Sequence, residues 1–139
     1  MNDIVINKIQ SIQRCISRSR EEYQKNPENF STDLTSQDAA ILNVIRACDL
    51  CIDLANILVK TYKLGIPNTS SDSFSLLEKQ NIIESSLADK LKRMVSFRNT
   101  VVHEYKAVDI DIVISVIKTE LNDIILFTEK TMEYLERNS

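Results

Sequence analysis

Ten residues between Ile41 and Tyr62 hold to a helical spacing without a miss: Ile41, Val44, Ile45, Cys48, Cys51, Ile52, Ala55, Leu58, Val59 and Tyr62. Apolar side chains recurring at i, i+3, i+4 and i+7 share one side of an α-helix and no side of a strand. The pattern predicts a helix roughly 40 Å long at about 1.5 Å per residue. Thr35-x-x-Asp38 reads as a capping box at its start. Gly65 follows its end, with Pro67 two residues on, where a left-handed C-terminal cap favours Gly.

That Gly is the chain's only one, and there are two Pro and no Trp in 139 residues. Sheets need frequent turns, and turns draw on Gly and Pro. Their scarcity points to long helices joined by short links. Further apolar stripes agree. Val5, Ile9, Ile12, Ile16 and Tyr23 predict a helix over about 2–26, ended by Pro27. Residues 27–35 read as a polar loop and 66–73 as a Ser/Asn/Thr/Asp-rich connection, with a short helix over 74–80. A fourth helix starts behind a capping-box pattern at Ser86-x-x-Asp89 and carries Leu87, Leu91, Met94 and Val95. A last one spans about 109–137 on Ile110, Val113, Ile114, Ile117, Leu121, Ile124, Phe127 and Leu135. The expectation is an all-α, antiparallel up-and-down bundle of four long helices plus a short one, forming a single domain over 1–139.

The net charge is -3, so the chain as a whole is no polyanion binder. The charge is unevenly spread. Residues 87–107 carry five Lys or Arg against two acids, and 108–139 carry three against seven. Positive charge thus gathers where an anionic substrate would be drawn, although a solvated helix face gives the same count. Cys15, Cys48 and Cys51 all lie in apolar stretches. Cys48-x-x-Cys51 sits on the stripe of the second helix and reads as buried core thiols rather than a redox pair or zinc half-site. Met1-Asn2-Asp3 begins no signal peptide, and no stretch approaches a membrane span. A cytoplasmic protein without a membrane partner is expected.

Function-bearing residue types concentrate in Phe97-Arg98-Asn99-Thr100-Val101-Val102-His103-Glu104-Tyr105, an R-x4-H-x-Y run holding the chain's only histidine. On a continuous helix at about 100° per residue, Arg98 and Tyr105 end within about 20° of each other, and Asn99 and His103 are one turn apart. The β-branched Thr100-Val101-Val102 is a weak helix former, and a loosening there would bring His103 towards Arg98. Arg98 continues the stripe of Leu91, Met94 and Val95, so it needs a partner or an opening to solvent. It suits a phosphate, through its guanidinium fork. It equally suits a structural ion pair with a carboxylate such as Asp53 or Glu104, and spacing alone favours the pair. Asp49 and Asp53, one turn apart on the second helix, also read as solvated charges. His103 suits general acid–base work or a satisfied structural role. With one His and no Glu-x-x-His, no metal site is expected. Tyr105 suits a core edge, a hydrogen bond or a modifiable phenol.

The nine-residue run matches the R-x4-H-x-Y signature of HepT-like proteins, a branch of the HEPN superfamily. Ala47-Cys48-Asp49-Leu50-Cys51-Ile52-Asp53-Leu54-Ala55-Asn56 resembles that family's long second helix, and Val108-Asp109-Ile110-Asp111 resembles the opening of its last one. The resemblance implies a HEPN-like helical bundle that forms a homodimer with the motif near the interface. It implies a metal-independent endoribonuclease without a cofactor, the toxin of a type VII-like toxin–antitoxin system, with RNA and not DNA as substrate. Its implied partner is a minimal nucleotidyltransferase (MNT-type) antitoxin that silences it by AMPylation of Tyr105. By the same match Arg98 and His103 become catalytic, with Asn99 and Asp53 supporting. The alternative is a non-catalytic helical module that binds a nucleotide or docks the nucleotidyltransferase.

Overall fold

Residues Leu34–Thr61 form a 28-residue helix, α2, that is buried on more than one side. Its predicted stripe packs inward. Ala40, Asn43, Ala47 and Leu54, which lie off that stripe, are buried as well. A helix apolar around most of its girth belongs in the middle of a bundle. Here α2 packs chiefly on α1 (Asp3–Lys25), and also on α3 (Ser70–Lys79), α4 (Ser85–His103) and α6 (Leu121–Arg137). The computed structural model describes residues 2–104 and 108–138, and among these there is no strand. The expected bundle of four long helices and a short one is what forms. The fourth long helix is built from α5 (Ile110–Ser115), a π turn (Val116–Glu120) and α6 in succession. Among the described residues no helix is long and apolar enough to cross a membrane.

The helix ends differ from expectation for local reasons. The stretch after Pro27 is a 3₁₀ turn, Pro27–Thr32, whose Phe30 is buried against Tyr23 edge to face at 5.2 Å. Asp33, not Thr35, caps α2, accepting from the Ser36 backbone N–H and hydroxyl. Ser86-x-x-Asp89 lies inside α4, whose cap position is Glu84. A capping box does form at α3, between Thr69 and Asp72. At the end of α2 the left-handed residue is Lys63 (φ 54), with Leu64 N–H bonded to the Val59 carbonyl. That is a Schellman closure two residues before Gly65. Asn81 (φ 59) closes α3 in the same way, with Ile82 N–H on the Leu77 carbonyl. Gly65 is needed for its own backbone, whose φ of +142 is a conformation that L side chains rarely adopt, and a Cβ there would also press on the flexible end of Leu76 at 2.9 Å.

The last helix carries the one irregularity that shapes a site. Val116 and Leu121 are five residues apart and both buried. A π turn sets i over i+5, so it keeps both in the core. Arg20 of α1 braces the turn, its Nε donating to the Ile117 carbonyl (3.1 Å) and its Nη2 to Asn122 Oδ1 (2.9 Å).

Candidate active site

The motif lies on the last two turns of α4, which stays helical through Thr100-Val101-Val102 to His103. The expected loosening does not occur. The Glu104 N–H donates to the Thr100 carbonyl at 2.8 Å, and buried Val101 ties the segment to the core. Burial of that side chain outweighs the weak intrinsic propensity of β-branched residues. On an unbroken helix Arg98 and His103, five residues apart, diverge by about 140°. Their side chains leave the helix in different directions.

Arg98 is half-buried and reaches across to α2. Its Nε donates to Asp49 Oδ1 at 2.6 Å and its Nη2 to Asp49 Oδ2 at 3.4 Å, a forked contact, while Nη1 donates to Asn99 Oδ1 at 3.3 Å. The ion-pair reading was therefore right in kind but not in partner: the carboxylate is neither Asp53 nor Glu104. Asp53 lies one turn further along α2 and pairs with Lys8 of α1 at 3.6 Å. Nor is Asp49 merely a solvated charge. Its hydrogen bond to the guanidinium holds Arg98 above the ordinary arginine value, so Arg98 is a fixed cation. The pair stays open to solvent, with the Arg98 side chain 27% and the Asp49 side chain 43% exposed. A guanidinium has five N–H donors. Asp49 and Asn99 take three, leaving two without a bond among the described residues.

His103 is exposed at the very end of α4. Val102, within the motif, is an exposed apolar side chain at 42%. Tyr105 falls outside the described residues. The expected placement of Tyr105 beside Arg98 therefore lies outside the described residues as well. Cys48 and Cys51 are buried free thiols, as expected. Burial pushes Cys48 up to about 12 and Cys51 well above the usual thiol range. Neither supplies a thiolate ligand or nucleophile. Among the described residues no three His, Cys, Asp or Glu side chains gather as a metal site.

A forked Arg–carboxylate contact, an adjacent amide and a solvent-facing imidazole at one helix end make an anion-handling surface. A family model described as ribonuclease HepT-like matches residues 12–131. The chain is 47% identical over 123 residues to the mRNA nuclease HepT of Shewanella oneidensis, covering 88% of this chain and 92% of that one. The chain belongs to the ribonuclease HepT-like family. A solved structure of the tri-AMPylated Shewanella oneidensis HEPN toxin in complex with MNT antitoxin superposes on this HepT-like chain with a TM-score of 0.89. It is 44% identical, over 96% of this chain and 99% of that one. The cytosolic protein YutE of Bacillus subtilis shares the fold at a TM-score of 0.82, with 15% identity over 98% of this chain and 91% of its own. At that identity the likeness shows the fold alone.

Proposed function

We propose that this HepT-like chain is a metal-independent endoribonuclease toxin in which Arg98 and His103 act on one RNA phosphodiester. The observation that carries the reading is Arg98 itself. It is clamped along one edge by Asp49, keeps two N–H groups without a bond among the described residues, and shares its helix end with an exposed imidazole. In metal-free RNA cleavage the substrate 2′-OH attacks the adjacent phosphorus. A base removes the 2′ proton, the bond to the 5′-oxygen breaks, and an acid protonates that oxygen, leaving a 2′,3′-cyclic phosphate. The two outward N–H groups of Arg98 suit the charge that builds on the phosphorane oxygens. Asp49 and Asn99 orient the fork, and His103 suits proton transfer.

One imidazole does not comfortably serve as base and acid in the same step, and α4 points its Arg and His apart. A two-fold homodimer facing motif to motif addresses both points, since it brings two Arg98 and two His103 to one cleft, so that the Arg98 of one copy works with the His103 of the other. The exposed Val102 supplies apolar contact area for that face. The partner reading follows from the relative solved in complex with MNT antitoxin. An MNT-type nucleotidyltransferase transfers AMP to Tyr105, the phenol oxygen attacking the α-phosphorus of ATP and pyrophosphate leaving. The added bulk and negative charge beside the motif block the RNA site.

Purified protein with labelled RNA in excess EDTA tests the activity. Cleavage that survives chelation and is lost in both Arg98→Ala and His103→Ala is expected. Nucleotide binding without cleavage would instead favour a binding module. Dimers mixed from wild type and His103→Ala test the sharing, which near-full activity per wild-type subunit would refute. Intact mass of protein made with and without a co-expressed MNT-type partner tests the regulation. The expected result is mass added in whole AMP units and lost in Tyr105→Phe.

A further inference from the structure

A cavity of about 330 Å³ lies between α4 and the braced π turn. Its walls are apolar, with Met94 and Phe97 on one side and Ile124 on the other. Its rim is polar: Lys90 and Arg93 come from α4, Thr119 and Glu120 from the π turn, and a second carboxylate, Asp123, from α6. The cavity adjoins the Arg98–Asp49 pair on two helices at once. Phe97 precedes Arg98 on α4, and Cys48, which also lines it, precedes Asp49 on α2. Its volume is at the small end of ligand sites, enough for one flat heterocycle with its sugar. Phe97 offers a ring for stacking, as single-stranded RNA readers do. The Glu120 carboxylate only accepts hydrogen bonds, so it selects for an exocyclic amino group. The π turn is a rare device often found at functional sites, and here it is what places Thr119 and Glu120 on the rim.

We propose that this cavity is a base-selecting pocket of the ribonuclease. It takes the nucleobase of the nucleotide flanking the phosphate at Arg98, stacked on Phe97, with Glu120 accepting from an amino-bearing base and Lys90 and Arg93 facing the flanking phosphate. The inference rests on the ribonuclease reading above and goes beyond it by assigning specificity. Adenine, cytosine and guanine carry the amino group, whereas uracil offers only its N3–H, set between two carbonyl oxygens that a carboxylate repels, so uracil is the disfavoured base at that position.

The test has two arms. In the first, 3′-AMP, 3′-CMP, 3′-GMP and 3′-UMP are titrated into the ¹⁵N-labelled protein. Saturable shifts are expected around Phe97 and residues 116–124, with UMP weaker by about tenfold. They should vanish in Thr119→Trp, which fills the cavity from an exposed position, while its remaining spectrum shows an unchanged fold. In the second arm, the ends of a cleaved random-sequence RNA are sequenced. Wild type should avoid uracil at one position next to the cut. Glu120→Gln, which adds a donor, should relax that bias, and Thr119→Trp should lower kcat/KM by about tenfold or more. Unchanged base preference in both variants, or nucleotide shifts confined to other surfaces, would overturn the pocket while leaving the ribonuclease intact. A wild-type protein that cuts no RNA would instead overturn the ribonuclease reading, and the first arm would still decide whether the cavity takes a nucleobase.

Discussion

Arg20 and Arg98 each cross from one helix to another and each engage Nε and Nη2, yet their partners differ in kind. Arg20 meets a backbone carbonyl and a side-chain amide, both neutral, at the π turn of the last helix. Arg98 meets a carboxylate. The first contact satisfies a helix irregularity and fixes a shape. The second aims a cation while partly cancelling its field, a poor way to bind phosphate tightly but a good way to hold a guanidinium in one orientation for a developing charge. The number of bonds an arginine makes therefore says little about its role, and the charge and exposure of its partner say more.

The sharpest way to break this contrast is to remove Arg98. Arg98→Ala should lower kcat by about 10²- to 10³-fold, the usual cost of losing one transition-state donor. Its melting curve should change little, because the pair is partly exposed and such pairs contribute about 1 kcal/mol or less. Parallel RNA-cleavage rates and thermal unfolding check this. A large loss of stability with little loss of activity would make Arg98 a second Arg20.

Asp49 is the next test. If it positions Arg98 rather than touching RNA, Asp49→Asn should lower kcat by about 10- to 100-fold, as small misplacements do. KM should stay level or fall, because the freed guanidinium attracts phosphate more strongly. Asp49→Glu should recover part of kcat. A rise in KM with kcat unchanged would place Asp49 in substrate binding and defeat the positioning role.

Arg20→Ala should show the opposite profile. The Ile117 carbonyl loses a charged donor, which costs about 1–3 kcal/mol, read as a lower denaturant midpoint. A midpoint equal to wild type would mean that the π turn holds itself and that the brace is incidental.

Much of this was legible in the chain, because the hydrophobic stripe of α2 leaves no competing period and one Gly leaves few turns. What escaped notice was what depends on neighbours. Ala47 and Leu54 are buried because other helices cover the flanks of α2, which no single helix pattern records. Thr35-x-x-Asp38 and Ser86-x-x-Asp89 failed as caps because the same residue types occur freely inside helices, and the real cap, Asp33, bonds to Ser36. The π turn carries no propensity signature at all. The choice between Asp49 and Asp53 turned on about 6 Å along one helix, a distance set by how α4 slides against α2. The motif singles out Arg98 and Asn99 as candidates on α4, and packing alone decides which carboxylate of α2 Arg98 meets.

Asp53 gives the smallest effect and the finest control on that last point. It shares Asp49's side-chain chemistry and helix, one turn away, but its pair with Lys8 is 3.6 Å long and its own side chain is 54% exposed. Exposed pairs of this kind contribute about 0.5 kcal/mol, and many contribute nothing measurable. Asp53→Ala should therefore leave the unfolding midpoint within about 0.5 kcal/mol of wild type, and the cleavage rate unchanged when assayed beside Asp49→Asn. Equal losses in the two variants would mean that a shared negative field on α2, not one oriented fork, supports Arg98. In that case the forked geometry would be one of several arrangements the guanidinium adopts, and orientation could not be what Asp49 contributes.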